Sequence, residues 1–149
     1  MLRRRRAARD SRRYLYDPVG WIDRYIDWPP GMYLADYQSE TLGNIPAKKR
    51  QAVRGPHGLG KSTTASLALI WFALTREQAG IDWKVPTTAS AWRHLTIYLW
   101  PEVHKWLKRV RWAELGMPEP QKRTQLLDLR LKLDHGAACA PSRLTGSSE

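Results

Sequence analysis

The residues with the clearest chemical potential are Gly55-Pro56-His57-Gly58-Leu59-Gly60-Lys61-Ser62, which fit G-x-x-x-x-G-K-[ST] at every fixed position. A polyphosphate presents closely spaced anionic oxygens, so a loop that grips it must aim several backbone N–H groups at one centre. Residues without a Cβ allow that close approach and a positive φ, which accounts for glycine at 55, 58 and 60. A helix beginning at Lys61 points its unpaired amides and the positive end of its dipole at the same anion. Lys61 is then spaced to reach the β and γ oxygens, the Ser62 hydroxyl to ligate Mg2+, and Thr63 to add a further hydroxyl contact. The chemistry indicated is nucleoside triphosphate binding, with Lys61 and Ser62 at the reacting end. Within the loop His57 either touches a phosphate or faces solvent. Arg54, just before it, either lends charge to the transferred group or is an ordinary surface arginine.

Such a loop needs a strand before it and a helix after it. Gln51-Ala52-Val53-Arg54 is the candidate strand, and Lys61 to about Arg76 reads as a helix apolar on most faces, hence buried against a sheet. Upstream, Asp17-Pro18 is a cap and first turn for a short helix carrying Trp21/Tyr25 and Ile22/Ile26, ended by Pro29-Pro30-Gly31. A second short helix is expected over 35–42. Downstream, 83–88 reads as a strand and 90–99 as a helix, which Pro101 restarts or kinks through Arg111. Leu127, Leu129, Leu131 and Leu133 alternate with polar residues, the pattern of a half-buried strand. The order implies an α/β fold with a partial, mostly parallel sheet flanked by helices and preceded by lead-in helices.

Composition narrows the setting. The 149 residues carry 25 Lys and Arg against 14 Asp and Glu, a net charge of +11. Residues 1–13 hold seven arginines against Asp10, so more than half of that excess lies there. So dense a block repels itself, and 1–16 is expected to be a disordered basic tail that either contacts polyanions such as nucleic-acid phosphates or is simply solvated. No run of 18 apolar residues exists, so no membrane-spanning helix is expected. The lone cysteine, Cys139, excludes an internal disulfide framework and reads as a small apolar residue. The Trp, Arg and Lys residues of 92–112 either grip nucleic acid or form the core and wet face of one helix. Residues 136–149, small and polar, are expected to be a flexible C-terminal tail.

The succession Asp17-Pro-Val-Gly-Trp-Ile-Asp-Arg-Tyr-Ile, Tyr37-Gln38, Arg54-Gly-Pro-His-Gly-Leu-Gly-Lys-Ser-Thr-Thr-Ala and Thr87-Thr-Ala-Ser-Ala-Trp-Arg resembles the large terminase subunit of tailed bacteriophages, the DNA-packaging ATPase. The resemblance spans about 17–135 and implies a partial P-loop NTPase-like ATPase domain there, binding ATP and Mg2+. It implies that Gln38 recognises the adenine ring, whose edge offers one donor and one acceptor to an amide. For Thr87-Thr88-Ala89 it implies coupling or DNA contact. It further implies double-stranded DNA, the phage portal and the small terminase subunit as partners, a homo-oligomer when complete, and the cytoplasm of a bacterial host.

The sequence departs from that family after the loop. A packaging ATPase needs an apolar strand ending in Asp-Glu to position Mg2+ and activate water. No such pair follows the loop, and Leu131-Lys-Leu-Asp134 is its nearest imitation. The expectation is therefore the front half of the ATPase domain, binding nucleotide weakly and hydrolysing it slowly or not at all. The alternatives are a helicase-like, nucleic-acid-dependent NTPase and a non-enzymatic DNA-binding remnant using its basic tail.

Overall fold

The computed structural model of the chain describes residues 2–56 and 58–141. Its elements run α1 (Leu2–Tyr14), α2 (Pro18–Tyr25), α3 (Asp36–Asn44), α4 (Lys61–Ala79), β1 (Trp83–Pro86), a π-helical stretch (His94–Leu99), α5 (Trp100–Leu107), α6 (Trp112–Leu115), β2 (Leu126–Leu127), β3 (Arg130–Lys132) and β4 (Gly136–Cys139). The class is α/β.

Helix α4 is the centre. Leu67, Leu69, Ile70, Trp71, Ala73 and Leu74 are all buried, so the helix is apolar on most of its faces. A helix of that kind is stable only when surrounded, and α1, α2, α3, α5, β1 and β4 all contact it. Helix α2 forms as its sequence indicates: Gly20 N–H donates to Asp17 Oδ1 at 2.9 Å, and Pro18 occupies the first turn. Its stripe of Trp21, Ile22 and Tyr25 is buried, and Ile26 beyond it is fully enclosed.

The sheet order is β1-β4-β3-β2. Only β1 and β4 are parallel; β4 with β3 and β3 with β2 are antiparallel. The expected mostly parallel sheet is therefore corrected to a mixed one. The chain reaches β4 through a hairpin rather than a crossover, which makes the last pairings antiparallel. Part of the expected C-terminal tail is itself the strand that completes the sheet, since β4 lies within 136–149. Small residues suit it there: Ala138 is fully buried, and β4 contacts α4. Of the rest of that tail, 142–149 lie outside the described residues.

Three further expectations change. Residues 51–54 form no strand, so the loop before α4 is entered from chain without regular secondary structure. The leucine alternation of 127–133 is split between β2 and β3 by a turn at Asp128-Leu129, leaving Leu131 fully buried and Leu127 40% exposed. Period-two patterning does not mark where a strand folds back on itself. Before Pro101 the helix widens, and Trp100 N–H bonds back to Leu95 O instead of the usual fourth residue. Proline has no N–H and its ring crowds the carbonyl four residues back, so a wide turn absorbs it.

The basic N-terminus is helical, against the expected disordered tail. Its end is held by Trp71 Nε1, which donates to Tyr14 O at 2.7 Å, and by Arg76 Nη2, which donates to Leu15 O at 3.3 Å. Tyr14 meets Tyr25 edge to face, with ring centroids 5.9 Å apart. Arginine is a good helix former, and docking offsets the repulsion along the block.

Candidate phosphate-binding site

The loop turns through two left-handed residues, Gly58 at φ +87° and Gly60 at φ +75°. Any side chain at 60 would also crowd its neighbours: a Cβ there lies 3.1 Å from Gln38 Nε2 and 3.4 Å from Tyr37 Oη. Gly55, expected to share that conformation, has no positive φ, and a Cβ there would meet the tip of the exposed Leu59 side chain at 2.5 Å. Pro56 and Leu59 are exposed at the loop surface. His57 lies outside the described residues.

Helix α4 springs directly from Gly60 at Lys61 and runs for 19 residues. Among the described residues, the backbone N–H groups of Gly58, Leu59, Gly60, Ser62 and Thr63 donate to no acceptor. Lys61 folds back across the loop so that its ammonium donates to Gly55 O. The Ser62 hydroxyl is half-buried and has no hydrogen-bond partner among the described residues. A set of unused amides, an ammonium and a free hydroxyl at a helix start is the donor set that phosphate oxygens and a hard divalent cation require. On that test the residues fit a magnesium nucleotide.

Gln38 reaches the loop, in a tying arrangement. Its Nε2 donates to Gly60 O at 3.3 Å and to Thr64 Oγ1 at 3.0 Å, while Oε1 accepts from Ala35 N–H at 3.0 Å. Both amide hydrogens are therefore engaged within the protein. Gln38 must release one of them to read an adenine edge. Thr63, expected at the phosphates, instead donates to Glu102 Oε2 at 3.0 Å. The same oxygen accepts from Trp106 Nε1 at 2.9 Å, and Lys105 Nζ stands 3.8 Å from Glu102 Oε1.

Glu102 is the residue that sequence reasoning missed. Its only local signal was a carboxylate four positions before Trp106 on one helix face. Thr87 is brought to the sheet, not the loop: its hydroxyl donates to Cys139 O at 3.2 Å and accepts from Trp100 Nε1 at 3.1 Å. Thr88 and Ala89 are exposed, as is Arg54, which forms no ion pair among the described residues. Comparison with protein-family models, with curated proteins and with solved structures found no match in any of the three.

Proposed function

We propose that this chain binds ATP and Mg2+ through residues 55–63 and is the N-terminal part of a P-loop NTPase-like domain of the phage large terminase kind. The observation that supports this most is the loop itself: two left-handed glycines, unused amides, and the Lys61 ammonium laid over Gly55 O, all at the start of a long buried helix.

In this reading the amides of Gly58 to Thr63 orient the phosphate chain, and Lys61 exchanges its Gly55 contact for β and γ oxygens. The Ser62 hydroxyl would hold the magnesium ion, which would supply charge neutralisation to the nucleotide. Glu102 lies beside this cradle on a separate helix and keeps Thr63 turned towards α5. Among the described residues no Asp-Glu pair ends a strand after the loop, so binding is expected to exceed turnover. Double-stranded DNA, the portal, the small terminase subunit and further copies of the protein are the partners this reading implies, in a bacterial cytoplasm. No helix among the described residues is long and apolar enough to cross a membrane.

The test is an ATP titration in Mg2+, followed by a fluorescent nucleotide analogue, with wild type and Lys61→Ala compared. Binding by wild type and its loss in the variant are expected. Equal binding by the two proteins refutes the assignment.

A further inference from the structure

A groove of about 1020 Å³ lies between β1, β3 and β4, the C-terminal end of α5 and the 119–130 segment. It is lined by five cations: Lys84, Lys108, Lys122, Arg123 and Arg130. All five are exposed, and among the described residues none of them forms an ion pair. Glu119 and Asp128 are the acids on its lining, so positive charge is in excess. These cations come from four separate parts of the chain and converge only in the folded state. The charge run that sequence made conspicuous, at residues 3–13, contributes none of them.

The floor is apolar and low. Register places Lys84 opposite Ala137 and Arg130 opposite Cys139, so small β4 residues separate the cations of the flanking strands. Leu107 and Leu126 extend the apolar surface beside them. A duplex presents phosphates outward and hides its bases, so it has no use for an apolar floor. A single strand offers both a charged backbone and planar base faces, and a cationic groove with apolar or aromatic lining matches that pair. The volume lies at the upper end for pockets that enclose one small molecule, which suits a short stretch of chain.

We infer that this groove is a binding site for single-stranded nucleic acid, with Lys84, Lys122, Arg123 and Arg130 on the phosphates and the sheet floor against the bases. The inference stands apart from nucleotide binding at the loop, since none of residues 55–63 lines the groove.

The experiment is fluorescence anisotropy of a fluorescein-labelled oligothymidylate of about ten nucleotides, titrated with full-length protein at several salt concentrations. The background carries Arg→Gln at all seven N-terminal positions, Arg3, Arg4, Arg5, Arg6, Arg9, Arg12 and Arg13, so that those arginines do not carry the signal. Adding Lys84→Gln, Arg123→Gln and Arg130→Gln is expected to weaken binding by about tenfold or more at low salt and to flatten the log–log salt slope by about two. All three side chains are exposed, so the thermal melt should hold, and Lys61→Ala should bind the oligonucleotide normally. Unchanged affinity in the groove variant overturns the site. Tighter binding of a duplex of equal length overturns the choice of a single strand. Loss of ATP binding in Lys61→Ala with oligonucleotide binding intact separates the two readings, as does the converse.

Discussion

The Thr63 hydroxyl donates to Glu102 Oε2 at 3.0 Å, joining two residues 39 positions apart and fixing α5 against the first turn of α4. Because Trp106 Nε1 donates to the same oxygen, one carboxylate serves both helices. On the proposed reading it also places a negative charge beside the phosphate loop, where it would oppose a bare triphosphate and favour one that carries a divalent cation. Glu102→Gln keeps a carbonyl acceptor for both donors and removes the charge. The expected result is a melting temperature close to wild type and ATP binding in EDTA that is severalfold tighter. Glu102→Ala leaves the Trp106 indole N–H, in a fully buried side chain, without its acceptor. That loss should cost about 2–3 kcal/mol, lowering the melt by roughly 5–10 °C. Differential scanning fluorimetry with and without Mg2+ measures both.

Two glycines, one in the loop and one in α3, are expected to respond in opposite directions to alanine. Gly60 sits at φ +75° with Gln38 and Tyr37 close to the missing Cβ, so Gly60→Ala should destabilise by at least about 1–2 kcal/mol. It should also abolish nucleotide binding, because the loop cannot keep its turn into α4. Gly43 lies in α3 with nothing within 4 Å of its missing Cβ, and it has no positive φ. Gly43→Ala should therefore stabilise by about 0.5–1 kcal/mol and leave nucleotide binding unchanged. Urea unfolding of the two variants checks the opposed signs.

These contrasts show which parts of the molecule a linear reading could reach. Local signals were sufficient for α2, α3 and α4, because an Asp-Pro cap, an apolar stripe and a Gly-Lys junction act through neighbours in sequence. The loop was legible for the same reason, down to the positive φ at Gly58 and Gly60. The sheet was not. Whether Leu127 to Leu133 is one strand or a hairpin depends on what pairs with it, and β4 draws its place from α4 and β1 rather than from its own weakly apolar Gly-Ala-Ala-Cys. Glu102 was invisible as a site residue for the same cause, since its meaning arises from a contact with Thr63 on another helix. The helical N-terminus escaped because charge density was weighed without the two hydrogen bonds that dock it.

Asp23 gives the stability curve a readable pH dependence. Burial, and then the nearby Asp17 carboxylate, push its pKa above the usual 3.8. A raised carboxyl pKa means the folded state holds the proton more tightly than the unfolded chain. The associated stabilisation is therefore full below the ordinary carboxylate range and is lost as pH rises through the folded-state value. At pH 7 the ionised group is a burden, so Asp23→Asn should melt higher than wild type. The gain should shrink as pH falls through the raised folded-state value and vanish where Asp23 is protonated in both states. Asp17 remains in place as the α2 cap in this variant. A gain of equal size at pH 3 and pH 7 would contradict the electrostatic cause.

The docking of α1 predicts a protease pattern. Arg5, Arg9 and Arg12 are exposed at spacings of four and three, so they form a single charged face whose self-repulsion works against the helix. What holds α1 in place is its C-terminal end, pinned by Trp71 Nε1 to Tyr14 O and by Arg76 to Leu15 O. Trp71→Phe keeps an aromatic ring in a site only 1% exposed and deletes the first of these donors. The Tyr14 carbonyl keeps only the longer bond from Asp17 N–H at 3.3 Å, and stability should fall by about 0.5–1.5 kcal/mol. Trypsin should then cut within residues 3–13 faster than in wild type under native conditions, before any cut at Lys105 or Arg109 on the folded body. Moderate salt screens the arginine repulsion, so it should slow that cleavage in the variant more than in wild type. Limited trypsinolysis read by mass spectrometry gives the order of cuts. An unchanged rate at the N-terminal arginines would mean that packing of Tyr14 on Tyr25 alone is enough to hold the helix.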